Sequence, residues 1–371
     1  MVTVLCYNVL CDKYATGQMF GYVPSWFLNW EYRKQLIIHE ILSYDADIVC
    51  LQEVELGQFE NYFQPTLKMR GGYDGIFSPK SRAKTMSEWD KPFVDGCATF
   101  FKSSKLKLDN QWLVEFNQMA LSRPSLRKHK DVYNRVMTRD NISVITRLEH
   151  RETRQEFIVA NVHIHWDPSF RDVKLVQTII LAEELEKISA QHSKAAIIVC
   201  GDFNSLPGSG VCSFLETGTV PPDHSDFMQH NYEPYTTEGA VHGLSLRNAY
   251  ASAPEPLIFT NFTPNFLGVI DYIWFKPGPL TVTGCLAPVS TEYVKQVVGL
   301  PTQHLPSDHI SLLVEFRIEA PSSSSTMMGG THNTQPPLSS FRRETSHHNI
   351  SGAVSGGQTK RLFSRNKNAL T

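Results

Sequence analysis

Short apolar runs alternate with longer amphipathic ones along residues 1–319. Eight of the short runs read as strands: "VTVLCYN" (2–8), "DIVCLQEV" (47–54), "GCATFFK" (96–102), "ISVITRLE" (142–149), "EFIVANVHI" (156–164), "AAIIVCGDF" (195–203), "GVIDYIWF" (268–275) and "ISLLVEFRI" (310–318). Three longer runs, 32–45, 56–70 and 172–190, repeat their apolar residues at helical spacing. In the last of these Val173, Val176, Ile180 and Leu181 make one stripe, with Lys174, Glu183 and Glu184 off it. The mixture predicts an α/β fold. Several strand runs end in or beside a polar residue: Asn8, Glu53, His163, Asp202 and Asp271. In α/β folds functional groups collect at strand ends and in the loops that follow them.

The pattern stops near Ala320. Beyond it, "PSSSSTMMGGTHNTQPPLSS" and "FRRETSHHNISGAVSGGQTKRLFSRNKNALT" hold few large apolar residues. Such a segment buries too little surface to offset its ordering entropy. The expected organisation is therefore one catalytic domain over 1–319 and a disordered, mildly basic Ser/Gly-rich tail over 320–371. At the other end, Met1 runs straight into the first strand. The start is thus either the catalytic part of a longer ancestor or incomplete.

Charge narrows the partners. The 371 residues carry a formal net charge of −2, so any nucleic-acid contact relies on local basic groups rather than on a broad field. The seven cysteines are odd in number and show no C-x-x-C spacing. Reduced, buried thiols in an intracellular protein are the expectation, and the sequons at Asn141, Asn261 and Asn349 then carry little weight. No secretory leader and no apolar run of membrane-spanning length is present.

Five clusters carry candidate chemistry: "CYNVL" with Asn8; "LQEVE" with Glu53; "NVHIHWDP" with His163 and His165; "GDFNSLP" with Asp202 and Asn204; and "VIDYI" with "SDHIS", holding Asp271, Asp308 and His309. Each has an ordinary structural explanation. Asn8 can cap a turn, Asp202 and Asn204 can form an Asx-turn, and a lone histidine is more often packed than catalytic. Glu53 and Asp271 resist this, because a carboxylate inside a sheet costs several kcal/mol unless paired or metal-bound. Taken together, oxygen donors without thiolate select a hard cation such as Mg²⁺ or Mn²⁺. A hard cation with open positions serves phosphoryl chemistry. An Asp271-oriented His309 can hold charge against a phosphate or an attacking water. His163 and His165 pose a separate question, since side chains two apart on a strand share a face. They could grip one metal or do two unrelated jobs.

The ordered set "CYNVL…LQEVE…HIHWDP…GDFNSLP…VIDYI…SDHISLL" resembles the endonuclease/exonuclease/phosphatase superfamily. "YNVLCDKYATGQMFGYVPSWFLNWEYRK", "FSPKSRAKTMSEWDKPFVDGCATFFK" and "NRVMTRDNISV" resemble the nuclease domain of carbon-catabolite-repressor-type poly(A) deadenylases. The resemblance covers residues 2 to about 318 and is specific in combination rather than in any one motif. It implies a single-domain α/β sandwich of two packed mixed sheets with helices outside. It implies Mg²⁺, one or two ions with Mn²⁺ as substitute, held by Glu53, Asn8 and Asp308. Asp202 would be the base, and Asn204 would share the water and the scissile phosphate. His309, oriented by Asp271, would complete the site, and His163 would bond the phosphate. Pro168 and Phe266 would sandwich the terminal adenine, worth roughly 1–3 kcal/mol per base.

The implied activity is 3′-to-5′ removal of the poly(A) tail of mRNA with release of AMP, in the cytoplasm and also the nucleus, with poly(A) RNA as partner and no membrane. No leucine-rich-repeat segment precedes the first strand, so docking onto a larger deadenylase complex is not expected. The alternatives are a 2′-phosphatase or another phosphodiesterase of the same superfamily, a zinc hydrolase and an inactive RNA-binding scaffold. "HIHWD" matches the H-x-H-x-D of zinc hydrolases, but that motif wants a further histidine where Pro168 stands. The basic residues Lys80, Arg82, Lys84, Arg127, Lys128 and Lys130 are candidates for facing a nucleic-acid backbone.

Overall fold

The structure, a computed structural model, describes residues 1–319 and 339–341. In chain order the strands are β1 (Val2–Asn8), β2 (Ile48–Glu55), β3 (Tyr73–Pro79), β4 (Asp95–Lys102), β5 (Leu106–Glu115), β6 (Ile142–His150), β7 (Glu156–His163) and β8 (Ala196–Asp202). They continue as β9 (Thr219–Val220), β10 (Ala240–Val241), β11 (Arg247–Asn248), β12 (Asn261–Thr263), β13 (Phe266–Gly268), β14 (Asp271–Phe275), β15 (Leu280–Leu286), β16 (Leu312–Ile318) and β17 (Ser339–Phe341). One sheet runs β17-β15-β16-β1-β2-β4-β3 and the other β11-β14-β8-β7-β6-β5. Both are mixed: β1 pairs parallel with β2 and β7 with β8, amid antiparallel neighbours.

The two sheets pack face to face over Val4, Cys6, Cys50, Val159, Ile198, Cys200 and Ile273. Helices cover the outer faces, with Trp30–Tyr44 and Gln64–Gly71 on the first sheet and Arg171–Gln191 and Gly210–Thr217 on the second. This is the α/β sandwich the resemblance implies. Central strands covered on both faces read as unbroken apolar runs, which is why "DIVCLQEV" shows no alternation; all but one residue of β2 is buried.

All eight expected strands form, and further ones join them. β3 and β5 are sheet edges with many half-exposed positions. A register shift between Leu108 and Asn110 breaks the alternation of β5. The expected helix over 56–70 widens into one π turn at Phe59–Phe63, just ahead of Pro65, which has no N–H to continue the ladder. The helix Arg171–Gln191 departs from its expected stripe. Every residue from Asp172 to Ala182 is buried, Lys174 included at 5% exposure. The segment carrying Phe214, Phe227, Tyr232 and Leu244 covers the face that the amphipathic reading left to water.

β17 lies within 320–371. It adds parallel to β15, with Ser339 opposite Gly284. For these three residues the disordered-tail expectation does not hold. An open strand edge offers unpaired backbone groups to any sequence. Residues 320–338 and 342–371 lie outside the described residues.

A polar bridge links the sheets just behind the strand ends. Gln52 on β2 donates to Asn161 Oδ1 on β7 at 2.8 Å, and Asn161 Nδ2 donates to the carbonyls of Leu51 (3.1 Å) and Ala98 (2.9 Å). Both side chains are fully buried. A satisfied buried network of this kind fixes register and rigidity. It sets the ends of β1 and β2 against those of β7 and β8.

Candidate active site

The site grows from those strand ends. β1 delivers Asn8, and a bulge in β2 between Gln52 and Val54 releases Glu53 from the ladder at φ 59°. A glutamate at positive φ is uncommon and marks a position held by its surroundings. Here the loop after β1 does the holding, since the Cys11 N–H donates to Glu53 Oε2 at 2.9 Å. Asn8 Nδ2 donates both to Glu53 Oε1 (3.0 Å) and to Asp202 Oδ2 (3.0 Å), so one amide joins a carboxylate of each sheet. The Leu10 N–H occupies Asn8 Oδ1 at 3.1 Å. In this orientation Asn8 offers hydrogens rather than an oxygen toward the carboxylates.

Asp202 ends β8, directly opposite His163 on β7 and Asp271 on β14. Its Oδ1 accepts from the Asn204 N–H at 2.8 Å. Its Oδ2 lies 3.6 Å from His163 Nε2 and 3.7 Å from His309 Nε2. Burial, reinforced by the neighbouring Asp271, pushes the Asp202 carboxyl up to about 7. Burial also pushes Glu53 up, with Asp95 and Asp308 adding to it. His309 Nδ1 sits 2.8 Å from Asp271 Oδ2. Burial opposes charge on that imidazole, but Asp271, Asp308 and Asp202 outweigh it and hold His309 well above the ordinary histidine range. His163 goes the other way: burial, then the charge on Lys80, keep it neutral, well below that range.

Asn204 sits at φ 48°, with its Nδ2 donating to the Ile164 carbonyl at 3.0 Å. Asp308 accepts from Asn261 Nδ2 at 3.0 Å. Pro168 is exposed and opens a short turn capped by Asp167, which accepts from the Ser169 N–H at 2.8 Å. Phe266 is half-buried at the start of β13, where Gly268 leaves room between its ring and Leu206. The structure thus brings Asn8, Glu53, His163, Asp202, Asn204, Asp271 and His309 into one connected cluster. Asp308, Pro168 and Phe266 lie on the segments flanking it.

The paired histidines part company. His163 faces Asp202, whereas His165 packs edge-on against Phe170, their ring centroids 5.3 Å apart. Its backbone N–H is held by Gln177 at 3.0 Å. Among the described residues, the group of His, Cys, Asp and Glu side chains able to converge on a metal is Asp202, Asp271 and His309, with ligand atoms within 4.8 Å of one another. That group contains neither histidine of "HIHWD". His309, kept charged by Asp271, is a poor ligand, because a protonated imidazole has no free lone pair. The carboxylate pair Glu53 and Asp202 is the better place for a cation. Both carboxyls are raised, first by burial and then by neighbouring carboxylates, so a cation there would stabilise their charged forms. The donors there are oxygen, and the nearby Cys11 is a thiol bonded to Glu55, pushed up by burial. The set fits a hard divalent ion.

Beside Glu53 lies an ion cluster that sequence reasoning missed. Lys80 is buried and meets Asp95 Oδ2 at 2.7 Å. Arg82 meets Asp95 Oδ1 at 2.5 Å and Asp140 at 2.7 Å, and Tyr14 donates to Asp95 at 3.1 Å. Burial opposes the charge on Asp95, yet Lys80 and Arg82 hold its carboxyl well below the usual range. Lys80 and Arg82 therefore turn inward rather than toward a nucleic-acid backbone, and Lys84 pairs with Glu115. Arg127, Lys128 and Lys130 are exposed. The only sequence signal for the cluster was Asp95 standing immediately before a buried strand.

Comparison with known proteins places this geometry. The chain is 48% identical over 338 residues to the CCR4-Not complex 3'-5'-exoribonuclease subunit Ccr4 of Mycosarcoma maydis, covering 85% of this chain and 50% of that protein. The protein of the same name from Schizosaccharomyces pombe is 45% identical, with 85% and 49% covered. The chain spans about half the length of the curated relatives it matches. Among solved structures, ANGEL2, described as a 2',3'-cyclic phosphatase in complex with adenosine-2',3'-vanadate, superposes with a TM-score of 0.69 at 26% identity, covering 86% of this chain and 96% of that one. The human Nocturnin catalytic domain gives 0.57 at 27%, covering 86% and 94%. The sequence pattern of the Endonuclease/Exonuclease/phosphatase family matches residues 5–309, from the middle of β1 to His309 of the cluster, and the chain belongs to that family.

Proposed function

We propose that this chain is a metal-dependent 3′-to-5′ exoribonuclease that shortens poly(A) tails and releases AMP. The carrying observation is the cluster in which one amide, Asn8, joins Glu53 to Asp202 while a neutral and a charged imidazole flank Asp202 Oδ2. The relatives named 3'-5'-exoribonuclease support the substrate. Membership of a multi-subunit complex, not expected from the sequence, belongs to the same proposal because those relatives are named as CCR4-Not subunits. A cytoplasmic or nuclear location follows from it. Among the described residues no helix is long and apolar enough to cross a membrane.

Glu53, with Asp202 beside it and Asp308 near, would hold Mg²⁺ or Mn²⁺, which supplies charge neutralisation at the phosphate. Asp202 takes the proton of the attacking water. Its raised carboxyl suits a base working near neutral pH. Asn8 keeps Asp202 and Glu53 together, and the Asn204 N–H fixes the Asp202 carboxylate through its second oxygen. His309, charged through Asp271, donates from Nε2 to a phosphate oxygen or the leaving O3′. His163, neutral, adds a hydrogen bond to the phosphate without adding charge. Pro168 and Phe266 offer flat surfaces for the terminal adenine.

A second reading, hydrolysis of a terminal 2′- or cyclic 2′,3′-phosphate, is favoured by the likeness to ANGEL2 over nearly that whole chain. Incubating the chain with Mg²⁺ on 5′-labelled A-tailed and C-tailed RNA, and on oligonucleotides ending in 2′,3′-cyclic phosphate, separates the two. A ladder descending by single nucleotides from the A-tailed RNA is expected. Intact tails alongside loss of the terminal phosphate would overturn the first reading in favour of the second.

A further inference from the structure

Lys174 is the anomaly of the second sheet's main helix. It lies in the buried stretch of the helix from Asp172 to Ala182, and the residue is itself 5% exposed. Among the described residues it makes no salt bridge. A buried ammonium without a counter-ion is expensive, commonly several kcal/mol, so its position calls for a contact that justifies it. Nζ donates to the carbonyl oxygen of Asn204 at 2.7 Å. That bond reaches from the second turn of the helix to the loop that follows β8.

Asn204 is the residue whose backbone shapes Asp202. At φ 48° it turns left-handed, so that its N–H points back to Asp202 Oδ1 at 2.8 Å while its side chain ties to the Ile164 carbonyl. Left-handed backbone is tolerated by asparagine but is not its resting state. Something must hold the peptide that follows it, and Lys174 holds that peptide's oxygen. Neighbouring anchors fix the rest of the loop. Tyr272 donates to the Ser205 carbonyl at 2.8 Å, and Asp226, paired with Arg171, accepts from the Gly210 N–H at 2.7 Å. Lys174 is the anchor nearest Asp202. Its ammonium is committed to the Asn204 carbonyl, with the residue 5% exposed.

The geometry points to Lys174 as a positioning residue for phosphodiester hydrolysis: by gripping the Asn204 carbonyl from the helix, it keeps the Asn204 N–H on Asp202 Oδ1 and so aims Asp202 Oδ2 at the reacting water. This rests on the function proposed above for its substrate, but not for its geometry. Three chains test it: the parent, Lys174→Met, which keeps the buried volume and removes the donor, and Lys174→Gln, which keeps an N–H donor without the charge.

With the 371-residue chains and fixed Mg²⁺, Lys174→Met should lower kcat on oligo(A) roughly 10–100-fold with KM nearly unchanged, because a misplaced group loses rate rather than binding. Lys174→Gln should recover much of the loss. Hydrogen exchange at the Asn204 amide should quicken in Lys174→Met and return toward the parent rate in Lys174→Gln, a readout that needs no activity. Bis(p-nitrophenyl) phosphate serves as a second substrate. If the parent cleaves it but leaves oligo(A) intact, the RNA reading fails while the comparison of variants still decides the role of Lys174. A folded Lys174→Met with parental kcat, or with unchanged exchange at Asn204, overturns the inference, as does a rise in KM alone. Should Lys174→Met fail to fold, a Lys174→Gln chain that folds but loses rate as far as a misplaced Asp202 would, with faster exchange at Asn204, also overturns it, since a retained donor would then not suffice.

Discussion

Asp95 is one buried carboxylate that holds two cationic side chains. Its side chain is 0% exposed and takes Lys80, 9% exposed, on one oxygen and Arg82, 27% exposed, on the other. Asp95→Asn keeps the shape and removes the charge. Arg82 keeps Asp140 and has access to water, so its loss is small. Lys80 has little access to water and keeps only the weaker influence of Glu53, and breaking one partner from a buried pair typically destabilises by about 3–5 kcal/mol. For a domain of this size, about 2–4 °C or less per kcal/mol then gives a fall in Tm of roughly 5–15 °C. The reasoning makes a second demand. Lys80→Met on top of Asp95→Asn removes the orphaned charge, and the double variant should recover most of the loss, since replacing a buried pair by apolar groups is often neutral.

Acid gives a third check on Asp95. Its carboxyl is depressed in the folded chain, so its contribution is fully present above the unfolded carboxylate range near pH ~4 and is lost as pH falls through the folded value. The gap between parent and Asp95→Asn should therefore narrow below about pH 4. Urea unfolding at several pH values reads all three. A single variant within about 1 kcal/mol of the parent, or a double variant no better than the single, would refute the cluster's energetic role.

Three further outcomes concern chemistry. Glu53→Ala should abolish hydrolysis with its circular dichroism and Tm near the parent's, and excess EDTA should do the same to the parent in a way Mg²⁺ reverses; activity surviving either treatment contradicts the cation placement. Phe266→Ala should raise KM for oligo(A) by roughly 5–150-fold, the equivalent of ~1–3 kcal/mol of base stacking, and leave bis(p-nitrophenyl) phosphate cleavage alone; equal losses on both substrates would remove Phe266 from the adenine site. Asp202, raised to about 7 in the absence of a cation, must be ionised to accept a proton, and a cation beside it pulls that value down, so kcat with saturating Mg²⁺ should fall with acid at or below that pH; a rate that instead rises as pH falls below about 7 would assign the base elsewhere.

The apolar runs made the sheets legible because central strands are buried on both faces and leave no doubt about period or polarity. Edge strands β3 and β5 were illegible for the converse reason: most of their positions are only partly buried or exposed, and a bulge in β5 breaks its alternation. At the site, Glu53 and Asp271 were legible because a carboxylate inside an apolar run has few innocent explanations. Lys80 and Lys174 were not. A lysine looks the same in sequence whether its ammonium meets water, Asp95 or the carbonyl of Asn204, and those partners are fixed only when the two sheets and their covering helix have come together. The stripe expected of the helix at 171–191 failed in the same way, because nothing in its own period announces the segment that later covers its outer face.

Lys80 belongs to a wider electrostatic scheme. The cluster gathers Glu53, Asp202, Asp271 and Asp308 at or beside strand ends, a concentration of negative charge that would repel a polyanion. A cation held at Glu53, as proposed, would answer part of this. The chain answers the rest with fixed positive groups set behind the reacting face: Lys80 beside Glu53 and charged His309 on Asp271. Each is buried, so each acts in a low dielectric where its field is little screened by salt. Each is tied to a carboxylate, and is therefore held at the site instead of swinging out toward the substrate. The modest net charge of the chain is consistent with capture by this local arrangement and by flat surfaces for bases, not by a basic face. Salt should then weaken binding of RNA less steeply than it does for proteins that neutralise many phosphates at once.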